Sequence, residues 1–239
     1  MFAGYVRVRP PFDVYQTGLA EYDDASDTFR SVAEFGRDPI EGVLSGVRDA
    51  GVDLHDVALF SHGTTVATNA LITRRLAPAA MVTTKGFRDV IEIRRGNRDD
   101  LWDTYKEIAP PYIRRRDRLV VTERIDYSGT VIQPVDEDEA REVARVLKKR
   151  GVRTVAVCFA NAYANPANED RMREILLEEL PGITVTTSSE VHPEIFEHER
   201  FSTTVANAVL SPIIAPYANR LGTRLDERGY RGDVLLLHS

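Results

Sequence analysis

The sequence predicts an α/β layered fold with a mostly parallel sheet. Three observations carry that expectation. Short apolar runs alternate with helical segments along most of the chain. The run TVAVCF at 154–159 is nearly all apolar and follows a helix, as a central strand buried on both faces does. Hairpin-like pairs near 19–33 and 119–133 add antiparallel strands, so the sheet is expected to be mixed.

The elements follow in order. Residues 19–22 and 28–33 read as a hairpin around the turn sequence DDASD at 23–27. Asp38, Pro39 and Glu41 make a helix start, with Asp as N-cap and Pro first inside. That helix carries Ile40, Val43, Leu44 and Val47 on one face. VALF at 57–60 reads as a buried strand and 66–74 as a helix. A strand at 79–84 and a short helix near 87–93 come next. Residues 94–118 read as a long excursion with two arginine clusters, a Pro-Pro pair and Trp102. A second hairpin is expected over 119–125 and 130–133. The helix over 136–150 is the clearest, with acids in its first turn, bases in its last, and Ala140, Val143, Ala144 and Leu147 as its buried stripe. A helix capped at Asn165-Pro166, a strand at 183–187, either one helix over 194–228 or two with a break near Ser211-Pro212, and a strand at 234–237 complete the reading. A boundary near Pro134 divides the chain into 1–134 and 135–239.

A chain of 239 residues can bury a sizeable core in one or two domains. Its net charge of −6 argues against nucleic acid or an anionic membrane surface as main partner. The single cysteine, Cys158, rules out an intrachain disulfide and reads as a core thiol. Residues 1–12 lack a signal-peptide core, and no stretch reaches the ~20 apolar residues of a membrane span. Cytoplasm is the expected location.

The most informative stretch is SHGTTVATNALITRR at 61–75. A strand that turns through Gly63 into a helix start exposes free backbone N–H groups and lets a ligand approach closely. His62, Thr64 and Thr65 are candidates to act on a reacting oxygen, with Gly63, Thr68 and Asn69 in support. The plainer alternative is an N-cap at Thr64 or Thr65 with His62 a satisfied loop histidine.

The block HGTTVATNALITRR, followed by VTTKGFRDVIEI at 82–93, resembles the hydantoinase A / 5-oxoprolinase family. The likeness continues through ERID at 123–126, VAVCF at 155–159, SSEV at 188–191 and ERFSTTVANA at 199–208, so it covers about 17–239. Acetone and acetophenone carboxylase subunits belong to the same group. The resemblance implies a ribonuclease-H-like lobe of the actin/Hsp70/sugar-kinase type. It also implies ATP and Mg2+ as cofactors, a cyclic amide or ketone as substrate, a hydantoinase B-like partner subunit and an oligomer. It assigns His62, Thr64 and Thr65 to the reaction and Gly63, Thr68, Asn69, Glu92, Arg94 and Arg95 to substrate binding. An arginine fork suits a carboxylate or phosphoryl oxygen; a surface ion pair is the alternative.

The glycine-rich phosphate loops of such ATPases are missing. Neither GxxxxGK[ST] nor GxGxxG occurs. The resemblance implies an element DxGGTxTD just before Thr17-Gly18, where only Asp13 and Thr17 match loosely and Pro10-Pro11 supply no N–H donors. Thr17 is the sole candidate there for cofactor binding. A second phosphate turn is expected beyond LLLHS at 235–239. His192 and His198 stand among Glu190, Glu194, Glu197 and Glu199, with a solvated helix start as the first reading and a metal or general base as the second. Two functions follow: part of an ATP-dependent hydrolase that opens a hydantoin or 5-oxoproline ring by phosphoryl activation of its carbonyl, or a catalytically inactive scaffold subunit. A sugar- or acid-kinase-like protein is a third, weaker reading, because the HGTT block fits it poorly.

Overall fold

A computed structural model describes residues 18–23, 28–34, 39–96, 102–103, 105 and 109–238. The chain divides into two compact units, Met1–Thr64 with Pro216–Ser239, and Thr65–Ala215.

In chain order, β1 (Gly18–Asp23) and β2 (Thr28–Glu34) form the expected antiparallel hairpin. Helix α1 (Pro39–Asp49) and strand β3 (Leu59–Thr64) follow. Then come α2 (Val66–Thr73), β4 (Ala79–Thr84), α3 (Val90–Ile93), β5 (Arg118–Val121), and the hairpin of β6 (Arg124–Ile125) with β7 (Val131–Gln133). The rest is α4 (Glu137–Lys149), β8 (Thr154–Cys158), α5 (Ala167–Glu179), β9 (Thr184–Thr187), α6 (Ser188–Val191), α7 (Glu197–Glu227) and β10 (Asp233–His238).

The first unit pairs β3 with β10 in parallel, Leu59 opposite Asp233 and His62 opposite Leu236. Its core joins Ile40 and Leu44 of α1 to Tyr217, Leu221 and Leu225 at the end of α7, a four-residue spacing that stacks three side chains on one helix face. Tyr230 closes this core. Gly229 beside it has φ +87 and would press a Cβ into the His55 ring, so only glycine fits.

The second unit is built on a four-stranded parallel sheet in the order β5-β4-β8-β9. Strand alternation divides its side chains between two cores. Ala80, Val82, Val155 and Val157 face α4 and α5. Met81, Ala156 and Cys158 face Phe201, Val205, Ala208 and Val209 of α7. Cys158 is fully buried, and burial raises its thiol pKa well above the ordinary value. Helix α4 begins where its sequence predicts: the Asp136 carboxylate accepts from the Glu139 amide at 3.0 Å. The α/β class with mostly parallel sheets flanked by helices is therefore the fold observed.

One expected strand of this unit divides. Residues 119–125 are two strands rather than one: β5 joins the parallel sheet and β6 turns into the hairpin. Of the two alternatives for 194–228 the structure has one helix, and α7 passes through Pro212 without a break. Proline leaves the Ala208 carbonyl without its helical donor, and the Thr154 hydroxyl of β8 supplies one at 3.0 Å. Among the described residues, no helix is long and apolar enough to cross a membrane.

Candidate functional site

Strand β3 extends four residues beyond the expected end at Phe60, so Ser61, His62, Gly63 and Thr64 are strand residues. The cause is the ladder with β10, which holds Ser61 through Thr64 against Leu235 through His238. Alternation then sets what each side chain meets. Phe60, His62 and Thr64 are half-buried, whereas Ser61 and Gly63 are exposed. Phe60 packs edge-on to Tyr230, with ring centroids 6.0 Å apart. His62, two residues on, places Nε2 2.6 Å from the Tyr217 hydroxyl. Burial lowers the His62 pKa below its ordinary value, so the ring is neutral at pH 7. The direction of this bond depends on the tautomer; where Tyr217 donates, the neutral ring carries its proton on Nδ1. A Cβ added at Gly63 would meet no atom within 4 Å, so the backbone there is open to approach.

In the second unit, Thr65 stands at the N-cap of α2, but its side chain makes no capping bond. The Asn69 amide donates to the Thr65 hydroxyl instead, at 3.3 Å, one helical turn away. Thr68 is half-buried on the same helix.

The remaining candidates also lie in the second unit. Glu92 gives a carboxylate oxygen to Arg118 at 2.6 Å; Arg118 is 2% exposed, so this partner holds a buried charge. Arg94 takes a left-handed backbone, φ +59, and donates to the Ala109 carbonyl at 2.9 Å. It lines a cavity of about 280 Å3 together with Arg74, Tyr112, His198 and Ser202. Arg94 and His198, separate in the sequence reading, thus share one concavity. Arg95 pairs with Glu199 at 2.5 Å and stacks over Phe196 at 4.1 Å. Thr17 lies outside the described residues. Sequence reasoning missed Tyr217. Its spacing with Leu221 and Leu225 marks a core face and says nothing of a histidine at its hydroxyl.

The described residues do not by themselves fit Mg-ATP. Their glycines stand singly, in separate turns, in β1 and β3 and in helices α1 and α7, rather than as a run of amides that could wrap phosphates. Among the described residues, no three His, Cys, Asp or Glu side chains gather to hold a metal ion.

The fold is that of an α/β protein, and the polar residues Ser61 to Thr64 stand at the carboxyl end of a parallel strand, the end at which open α/β sheets bind ligands. A family model described as the hydantoinase/oxoprolinase N-terminal region matches residues 21–180, and the chain belongs to that family. Its members include ATP-dependent cyclic amide hydrolases and carboxylases. An uncharacterized protein of Methanocaldococcus jannaschii is 36% identical over 228 residues, covering 93% of this chain and 34% of its own length. The acetophenone carboxylase gamma subunit of Aromatoleum aromaticum is 33% identical over 199 residues, covering 77% of this chain and 27% of its own. The crystal structure of the ATP-dependent caprolactamase from Pseudomonas jessenii superposes with a TM-score of 0.77 at 30% identity, covering 92% of this chain and 33% of that one. The chain thus spans about a third or less of the length of the relatives it matches.

Proposed function

We propose that this chain is the N-terminal part of an ATP-dependent hydrolase that opens a cyclic amide, such as a hydantoin, 5-oxoproline or a larger lactam. The observation that carries the reading is His62: a neutral imidazole, tied to the buried Tyr217 hydroxyl, two residues from the carboxyl end of a parallel strand. A ring-amide oxygen gains negative charge when its carbonyl is activated. Donors already aimed at that oxygen lower the barrier, because they need no reorganisation during the reaction. The reading gives this role to the His62 Nδ1–H and the Thr64 hydroxyl, and to Thr65 next along the chain. Gly63 lets the substrate reach the backbone. Thr68 and Asn69 keep α2 and the Thr65 hydroxyl in place. Arg94 and Arg95 suit a substrate carboxylate by their guanidinium forks, and Glu92 serves by holding Arg118. Because the described residues do not fit Mg-ATP, phosphoryl donation is assigned to parts of the protein other than these. Thr17 is kept as the one candidate nucleotide contact in this chain.

The caprolactamase and acetophenone carboxylase relatives motivate a partner subunit of hydantoinase B type and an oligomeric assembly. The test is ring opening of 5-oxoproline, hydantoin and caprolactam with ATP, by this chain assembled with the parts that supply phosphoryl donation and with such a subunit. Ring-opened product and ADP in equal amounts, abolished by His62→Ala, are the expected result. Full turnover with His62→Ala would overturn the reading. The lack of a phosphate cradle among the described residues favours a second reading, an inactive scaffold subunit. Calorimetry decides that point: measurable ATP affinity of this chain rules the scaffold out.

A further inference from the structure

The second unit carries a larger cavity that adjoins the one holding Arg94, sharing Arg74, Pro110, Pro111 and Tyr112 with it, and that Arg94 itself does not line. It measures about 880 Å3 and lies where the chain enters three strands of the parallel sheet. Leu76, Ala77 and Pro78 precede β4, Arg116 and Asp117 precede β5, and Arg150 and Val152 precede β8. These are the amino ends of the strands, opposite to the carboxyl ends where open α/β sheets bind substrates.

Four guanidinium groups line it: Arg74, Arg114, Arg116 and Arg150. One carboxylate, Asp117, stands among them and is shared by Arg116 at 3.5 Å and Arg150 at 3.2 Å. Arg74 rests on neutral groups, the Pro110 carbonyl at 2.6 Å and the Tyr112 ring at 5.1 Å. Arg114 makes no ion pair among the described residues. Four cations against one anion leave the cavity with three net positive charges on a chain whose net charge is −6. Like charges gathered around one concave space raise its positive potential and attract an anion. The other walls are apolar, with Leu76, Pro110, Pro111 and Ile113 in contact with the space.

We propose that this cavity binds a small phosphate ester with an apolar body, at a site separate from the carbonyl-activating residues. A carboxylate saturates one guanidinium fork. A phosphate dianion carries three oxygens and takes two or three forks, which matches the uncompensated charge here. The volume is that of a small-molecule pocket.

Calorimetric titration of the 239-residue chain with inorganic pyrophosphate, and separately with benzoate, tests the assignment. Pyrophosphate is expected to bind, more weakly as salt rises from ~50 to ~500 mM. Arg114→Gln with Arg116→Gln should weaken it by about tenfold or more, while the melting temperature stays unchanged because both side chains are exposed. Arg145→Gln, an exposed change on α4 whose residue does not line the cavity, should leave binding intact. His62→Ala should leave it intact as well, so this result stands whether or not ring opening is observed. No binding of pyrophosphate, equal binding by the double variant, or tighter binding of benzoate would overturn the proposal.

Discussion

Tyr217→Phe isolates the contact on which the functional reading leans. The substitution keeps a ring that is 5% exposed in the first unit's core, and removes only the oxygen 2.6 Å from His62 Nε2. One hydrogen bond contributes about 1 kcal/mol net, which lowers the melting temperature of a chain this size by about 2–4 °C. The electrostatic effect is the more diagnostic. A hydroxyl that donates to Nε2 favours the neutral ring, so its loss should raise the His62 pKa toward the ordinary value. Burial alone continues to hold it down. The sign for stability follows. His62 has a folded pKa below its unfolded value of 6.5, so the unfolded chain binds the proton first as pH falls. The stability contributed by neutral His62 is complete above the unfolded pKa and is lost as pH falls through the folded one. His62→Gln should flatten that loss. NMR titration of the imidazole C–H signals, assigned against the His62→Gln spectrum, gives the pKa. Melts at pH 8 and pH 5.5 give the stability. An unmoved or lowered His62 pKa in Tyr217→Phe, with an unchanged melting temperature, would refute the reasoning.

Two further outcomes follow from single contacts. Thr154→Val should cost about 1–3 kcal/mol, because the Ala208 carbonyl loses its donor beside Pro212. Pro212→Ala in that background restores an N–H and should recover most of the loss, with a coupling of about 1 kcal/mol in a double-mutant cycle of chemical melts. Gly63→Ala meets no atom within 4 Å, so its stability should stay within about 0.5 kcal/mol of the parent. Its ring-opening kcat/KM in the assembled enzyme should fall by about tenfold or more if substrate contacts this backbone. Unchanged turnover would show that substrate keeps its distance from Gly63.

Much of the second unit was legible because its signals are local. Asp136 caps α4 through the next turn, and the stripe of Ala140, Val143, Ala144 and Leu147 repeats at helical spacing. The run at 154–159 contains the buried strand β8. Thr65 was legible as an N-cap position, whereas its bond to Asn69 in place of a cap was not. The length of β3 was hidden for another reason. Nothing near His62 reveals that Leu236 lies opposite it, because parallel pairing draws its partner from 174 residues away. Pro212 left one helix or two open for the same reason, since the Thr154 hydroxyl that bonds the Ala208 carbonyl comes from a distant strand.

The amino-acid sequence alone determined the alternation of strands and helices, the family, and the cluster of His62, Gly63, Thr64 and Thr65. Periodicity, caps and motif order are properties of neighbouring residues, so they can be read along the chain. Only the tertiary structure decided that His62 meets Tyr217, that Glu92 is tied to Arg118, and that four arginines from three separate loops line one cavity. Those contacts join residues far apart in the chain, and chain closure and packing, rather than local preference, bring them within reach.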